Sequence, residues 1–239
     1  MPSDIPSLDL IVPCFQPSPG WEKNLCAKFR AFQERLPEVK MSLILVNDGS
    51  DQSVSEAHVA YLKKEIPRFQ YHSYSLNQGK GHALRVGVAT TNQTIQLFTD
   101  IDFPYQIESM VQVYHAVANG ADVALGYREP DYYQKVPWFR KQLSMFLRWM
   151  LKRVLLLAIT DTQCGLKAFN HQGKMVFLDT QIKRFLFDLE FVMMLSRKPH
   201  LKLRPVSVNL REDVRFSKMN VRVLLRESLN FLVLFFRSR

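Results

Sequence analysis

The sequence predicts an α/β domain with a mostly parallel central sheet flanked by helices. Three observations lead there. Short apolar runs recur and each ends in a polar turn; the stretches between them carry helical spacing; and the best-marked run, Ile95-Gln96-Leu97-Phe98, ends in Thr99-Asp100-Ile101-Asp102. A continuous apolar run bounded by Thr91-Asn92-Gln93-Thr94 and by Pro104 reads as a strand buried on both faces. In open α/β sheets ligands bind beyond the carboxyl ends of the strands, which is where Asp100 and Asp102 fall. Two oxygen-rich side chains there suit a hard cation, Mg2+ or Mn2+, which in turn holds a diphosphate. A solvated turn also accounts for the pair, because Asp is common in turns.

No Gly/Ser linker, repeat or low-complexity tract divides the 239 residues, so residues 1–239 read as a single domain. Its core spans about residues 8–218, and an amphipathic C-terminal segment occupies about 219–239. Hydrophobic residues make up 47% of the chain, ample for one large core. The net charge of +10 calls for an anionic partner, and its placement favours a nucleotide and an anionic membrane surface over nucleic acid. Cys14, Cys26 and Cys164 are scattered and odd in number. With no signal peptide in view, they read as free thiols in a reducing cytoplasm. No uninterrupted apolar run reaches about 18 residues, so no span of a bilayer is expected.

Taken in order, Leu8 to Val12 forms a first strand, stopped by Pro13 and followed by a Pro/Gly loop through Gly20. A helix then runs from Trp21 to Leu36. Met41 to Val46 is a second buried strand, ending in Asn47-Asp48-Gly49-Ser50-Asp51. Strand, helix, strand and polar turn is the signature of a nucleotide-binding half-fold, and Asp48 is placed to take ribose hydroxyls or a base edge. Ser50 or Asp51 caps the next helix. Tyr71 to Ser75 is a third strand, running into Asn77-Gln78-Gly79-Lys80-Gly81, which opens a helix to about Val88. The P-loop spacing is absent. The glycines and Lys80 either form an anion seat at the helix start or serve tight backbone turning.

An amphipathic helix follows the acids to about Ala118, and Ala121 to Gly126 is a strand that delivers Tyr127 and Arg128 to the edge where the acids lie. From Trp138 to Ile159 apolar residues repeat at helical spacing, with Arg140, Ser144, Arg148 and Lys152 on another face. Five basic residues, no acid and two tryptophans make this either a membrane-surface helix or a core helix with a wet basic face. Asp161 to Phe169 is a polar turn feeding a short strand. Phe187-Asp188-Leu189-Glu190 starts a helix whose acids complement its dipole. Leu203 to Val208 is a last strand, at an edge because of Pro205. Arg211, Arg215 and Lys218 follow it, and the apolar tail from Val221 to Phe236 docks either on lipid or on the protein core.

Five motifs stand in a recognisable order: Val46-Asn47-Asp48-Gly49-Ser50, Asn77-Gln78-Gly79-Lys80-Gly81, Asp100-Ile101-Asp102, Gly126-Tyr127-Arg128 and Asp161-Thr162-Gln163-Cys164-Gly165. Together they resemble family 2 glycosyltransferases, and within these the polyprenyl-phosphate sugar transferases, the dolichyl-phosphate β-glucosyltransferases and mannose synthases. The sequence Asp161 to Phe169 leans toward the glucosyl branch. The resemblance implies a GT-A fold with a nucleotide sugar at the strand ends. It places Pro13, Phe15, Asp48, Asn77, Gly79, Lys80 and Asp100 at the donor, and a divalent ion on Asp100 and Asp102. It assigns the acceptor phosphate to Arg128, Arg140, Ser144, Gln163, Arg215 and Lys218.

The chain departs from the family pattern at Gln16-Pro17, where Asn-Glu is usual, and at Pro104, where mannose synthases place a metal-binding Gln. The implied reaction is inverting transfer of a hexose, glucose favoured, from a nucleotide sugar such as UDP-glucose to polyprenyl or dolichyl phosphate. It would take place at the cytoplasmic face of a membrane, with the protein bound peripherally. A lipid phosphate is already anionic and needs positioning more than a base; if a base acts, Asp161 or Asp188 is the candidate. The alternatives are another donor such as GDP-mannose, another acceptor, a sugar-1-phosphate nucleotidyltransferase, or a membrane-docked binding module without turnover.

Overall fold

The structure, a computed structural model, describes residues 6–128, 161, 164–184 and 186–213. The basic helix expected from Trp138 to Ile159 and the tail beyond residue 213 lie outside them. Among the described residues a sheet of seven strands has the order β3-β2-β1-β4-β6-β5-β7. Strand β1 (Ser7–Cys14) lies parallel between β2 (Lys40–Asp48) and β4 (Ile95–Phe98), with Leu10 opposite both Leu43 and Leu97. Strand β3 (Phe69–Tyr74) extends the sheet parallel to β2. Beyond β4, the short β6 (Lys167–Phe169) runs antiparallel to β4 and to β5 (Val123–Tyr127), and β7 (Leu203–Ser207) closes the far edge parallel to β5. Pro205 stands on that edge, as its missing N–H requires.

Both faces of the sheet are covered, which is why its strands read as unbroken apolar runs. Along β1, Leu8, Leu10 and Val12 join one core cluster and Ile11 the other. Helices α1 (Trp21–Glu34), α2 (Glu56–Glu65) and α4 (Ile107–Ala118) cover the first face with Leu25, Phe29, Phe32, Leu62, Met110 and Val113. Helices α3 (Lys80–Ala89), α5 (His171–Leu178) and α6 (Phe187–Ser196) cover the second. There Phe98 packs 5.6 Å from Phe177 and 6.1 Å from Phe187, centroid to centroid, and Phe169 stacks on Phe177 at 5.4 Å. Full burial of a ring of this size stabilises by about 1.5–3 kcal/mol, so this cluster anchors α5 and α6 beneath the ends of the strands.

Three local expectations are corrected. Helix α2 begins at Ser55, not Ser50 or Asp51, through a capping box with His58. The Ser50 hydroxyl instead accepts the Gln16 N–H across the loops at 3.0 Å, and Asp51 closes a turn onto Ser53. Helix α5 was not expected, although Asn170 caps it by accepting the N–H groups of Gln172 and Gly173. Strand β1 continues through Pro13. Its ladder with β4 ends at Ile11, whose carbonyl takes the last N–H, from Thr99, so the missing N–H of Pro13 falls past that ladder.

Because β2 and β4 flank β1 on opposite sides, their connections leave in opposite directions and open a crevice at the carboxyl ends of the three strands. Pro13 and Phe15, Asn47 and Asp48, and Asp100 and Asp102 all fall on that edge. Among the described residues no helix is long and apolar enough to cross a membrane.

Candidate functional site

Asp48 is tied into the crevice by four hydrogen bonds to its carboxylate. One carboxylate oxygen accepts the Tyr74 hydroxyl at 2.7 Å and the Gln78 N–H at 2.8 Å; the other accepts the Asn77 amide at 2.8 Å and the Gly79 N–H at 2.9 Å. The residue is 3% exposed. Four neutral donors fill its four acceptor directions, and burial, with the hydrogen bond to Asp48, raises the Tyr74 phenol above its ordinary range. Gly49 makes the close approach possible. Its φ is +70°, and a Cβ there would lie 2.5 Å from the Asn77 nitrogen.

The helix start at residues 77–81 is thus an anion seat whose anion is Asp48. The His82 N–H goes to the Lys183 carbonyl, and the Lys183 ammonium donates to the Gln78 side chain at 2.9 Å. The turn is clamped between β2 on one side and the loop before α6 on the other. Arg85 fixes that loop by donating to Thr180 and to the Ile182 carbonyl, while Glu190 accepts the N–H groups of Gln181 and Ile182. Glu190 therefore has a specific loop to hold in addition to the dipole of its helix.

What the clamp aims is Lys80, the first residue of α3. Its ammonium lies 2.5 Å from one oxygen of Asp100, with side-chain exposures of 18% and 36%. Burial opposes the charged lysine, but Asp100 and then Asp188 outweigh it and raise the Lys80 pKa. Gly165 allows the arrangement, since a Cβ there would meet the other Asp100 oxygen at 2.7 Å and the Lys80 nitrogen at 3.2 Å. The Gly165 N–H donates to the Tyr105 hydroxyl at 2.8 Å.

Asp102 is exposed on the same turn. Desolvation and the Asp100 carboxylate push it above the usual carboxylate range, while Lys80 and Arg211 oppose the shift. Arg211 donates to the Asp102 carbonyl at 3.3 Å and is held there by its own N–H on the Pro104 carbonyl. The two non-glycine residues with positive φ, Gln16 at 42° and Phe103 at 47°, sit in the loops that leave β1 and β4 on this edge. Residues held in that region store strain that often marks functional loops.

Two further ion pairs lie beside this turn. Arg128 grips Asp161 with its side chain at 2.9 and 2.8 Å and adds its backbone N–H at 2.7 Å. Burial works against the arginine's charge, yet the hydrogen bonds and charge of Asp161 raise its pKa. Lys167 donates to Asp188 at 2.5 Å and to the Cys164 carbonyl at 2.6 Å, with both charged side chains almost wholly buried. Burial raises the Asp188 pKa against the pull of Lys167 and Lys80. The two candidate bases thus stand in internal ion pairs, with Asp188 below the surface.

Of the expected site residues, Pro13, Phe15, Asp48, Asn77, Gly79, Lys80, Asp100, Asp102 and Arg128 meet on one edge of the sheet, with Asp161 and Asp188 behind them. Phe15 is 47% exposed. Arg140, Ser144, Gln163, Arg215 and Lys218 lie outside the described residues. Sequence reading missed Tyr74, Tyr105, Lys167 and the placement of Arg211. Lys167 carried a signal, being a charged residue at the head of an otherwise apolar strand and preceded by Leu166. Among the described residues no group of three or more His, Cys, Asp and Glu side chains converges as a metal cage. Asp100 and Asp102, two accessible carboxylates with oxygen donors alone, nevertheless fit a hard divalent ion that takes its remaining ligands from water and a diphosphate.

Comparison with known proteins agrees with this architecture. The family model described as Glycosyl transferase family 2 matches residues 9–177. A dolichyl-phosphate beta-glucosyltransferase from Trichomonas vaginalis is 26% identical over 229 residues, covering 92% of this chain and 70% of the relative. Among solved structures, mannosyl-3-phosphoglycerate synthase from Rubrobacter xylanophilus superposes with a TM-score of 0.69 at 14% identity, over 97% of this chain and 73% of the other. A mannosyltransferase from Pyrobaculum calidifontis, in complex with GDP-Man and Mn2+, gives a TM-score of 0.56 at 14% identity, over 86% of this chain and 57% of that one. These likenesses establish the fold as the GT-A-like one the sequence implied.

Proposed function

The chain belongs to glycosyl transferase family 2, and we propose that it transfers a hexose, glucose from UDP-glucose, to the phosphate of a polyprenyl or dolichyl lipid. The observation that carries the proposal is the Asp100–Asp102 turn at the crevice, backed by Lys80 at 2.5 Å from Asp100. Carboxylates and an ammonium together suit a metal-bound diphosphate and little else of that size. Choice of sugar and acceptor rests on the likeness to the dolichyl-phosphate beta-glucosyltransferase.

Asp100 and Asp102 would hold Mg2+ or Mn2+, with support from the Mn2+ in the Pyrobaculum mannosyltransferase complex. When bound, the ion neutralises charge on the leaving nucleoside diphosphate. Phe15 offers an exposed ring beside the nucleoside end. Asp48 works through the Asn77–Gly79 turn it organises, which sets the position of Lys80. The acceptor phosphate is itself the nucleophile, so this chain has to orient it and screen it from the donor. Arg128, fixed by Asp161 at the end of β5, is proposed to form the acceptor side together with Arg140, Ser144, Gln163, Arg215 and Lys218. Attack opposite the leaving group inverts the anomeric carbon and gives a β-linked lipid-phosphate sugar. The basic face through Arg148 and Lys152 is proposed to hold the enzyme peripherally on an anionic membrane, at its cytoplasmic face.

The test is incubation of the purified chain with radiolabelled UDP-glucose, Mg2+ and polyprenyl phosphate, with GDP-mannose in parallel. Label should enter the lipid phase from UDP-glucose and require the metal. Label from GDP-mannose alone would reassign the donor, and no lipid-phase label from any common nucleotide sugar would defeat the enzyme reading.

A further inference from the structure

Lys80 poses a charge problem that the proposed reaction does not resolve by itself. Its ammonium sits 2.5 Å from one oxygen of Asp100, a carboxylate that would also hold the divalent ion. A lysine and a metal ion on one carboxylate oxygen repel strongly at that range. The lysine is not there by accident of a loose side chain. Helix α3 starts at this residue, the preceding turn is bonded to Asp48 from one side, and the His82 N–H is bonded to Lys183 from the other. Gly165 leaves the space that lets the pair close. Asp188 adds a second negative charge on Lys80 and is itself held in place by Lys167.

With Lys80 on Asp100 and the Arg211 guanidinium beside Asp102, the two carboxylates of the turn keep little net negative charge for a divalent ion. A nucleoside diphosphate changes the sum by bringing at least two negative charges, which serve the ion and the ammonium together. We propose that Lys80 is the resident counter-ion of the metal subsite: it occupies Asp100 in the empty protein and yields that carboxylate to a divalent ion only when a diphosphate supplies its replacement partner. Metal and donor then bind as one unit, and neither is retained well alone. The inference rests on the donor reading given above and adds an order of events to it.

Lysine in this role makes two predictions of opposite sign, which a merely structural lysine would not. Mn2+ binding to the full chain is measured by electron paramagnetic resonance of the free ion, without nucleotide and then with saturating UDP or GDP. Removing the charge with Lys80→Met should tighten Mn2+ binding in the absence of nucleotide by about fivefold or more, within the range of ordinary coupling between sites. The same change should weaken binding of the metal–UDP complex by a comparable factor. Lys80→Arg, which keeps the charge, should leave Mn2+ alone as weakly bound as in the unsubstituted chain. Lys80→Gln repeats the neutral substitution should the methionine variant not fold. Unchanged or weaker Mn2+ binding in a folded neutral variant overturns the proposal while leaving the donor reading intact. Failure of both UDP and GDP to bind with Mn2+ defeats the donor reading, and the proposal with it.

Discussion

Two carboxylates end neighbouring parts of one crevice and are handled in opposite ways. Asp48 is satisfied by hydroxyl and amide donors that carry no charge and is 3% exposed. Asp100 is balanced by a single ammonium, and its side chain is 36% exposed. The first arrangement commits the carboxylate to its own chain, and any substitution strands several buried donors. The second leaves a partly exposed carboxylate whose partner is a long side chain that a bound diphosphate can draw away. Within one site, then, neutral saturation builds the frame, while charge balance by one long side chain keeps a place exchangeable.

The sharpest way to break this contrast is to empty the frame. Asp48→Ala would leave the Gln78 and Gly79 amides, the Asn77 side chain and the Tyr74 hydroxyl without their acceptor. At about 1–3 kcal/mol for each group stranded by burial, and with partial relaxation, the loss should be about 4 kcal/mol or more in urea unfolding. A loss under 1 kcal/mol would mean that the turn holds itself.

Lys167 and Asp188 form a second internal pair, here of charges. Lys167→Met should destabilise by about 3–5 kcal/mol, because it leaves a buried carboxylate uncompensated. The double variant Lys167→Met with Asp188→Leu should recover most of that. If the double variant is as unstable as the single, the pair's geometry and not its charge balance matters.

The exchangeable side should behave differently, losing function and keeping the fold. Asp100→Ala should lower glucosyl transfer by about 10²–10³-fold, the scale of one lost electrostatic contact to the reacting charge. Thermal unfolding should shift little, since the side chain is partly solvated and its partner Lys80 retains Asp188 nearby. Equal losses of stability in Asp48→Ala and Asp100→Ala would erase the distinction between frame and exchange site.

This division also explains what the sequence made legible. Buried strands, their order of appearance and the acids at their ends are local patterns, so β1, β2, β4 and β5 could be read, as could the edge position of β7 from Pro205. The role of Asp48 could not. Its donors come from β3 and from a turn about thirty residues later, and a strand-end acid that binds a ligand looks the same in sequence as one that binds its own chain. Arg128 with Asp161, and Lys167 with Asp188, are hidden for the same reason, because pairing between a strand and a distant loop or helix leaves no periodicity. Helix α2 was misplaced because Ser50, a good cap by type, is drawn away by the Gln16 N–H on another loop. Helix α5 is short and begins immediately after a strand, and its one clear mark is the capping Asn170.

The smallest expected effect probes a histidine ring set against the frame. His82 lies in the first turn of α3, edge-on to Tyr74 at 5.4 Å, so it touches the residue that donates to Asp48. Burial, then Arg85 and Lys183, lower its pKa below 6.5, with Asp48 opposing them. A lowered histidine pKa means that the folded protein binds fewer protons than the unfolded chain in that range. Its effect on stability is therefore absent well above pH 6.5 and grows as the pH falls from there through the folded value, where the penalty is complete. Unfolding measured in urea between pH 7.5 and 5 should show a falling midpoint, and His82→Phe, which keeps a ring against Tyr74, should flatten that part of the slope. A slope that survives His82→Phe unchanged would have to arise elsewhere in the fold and would remove His82 as its source.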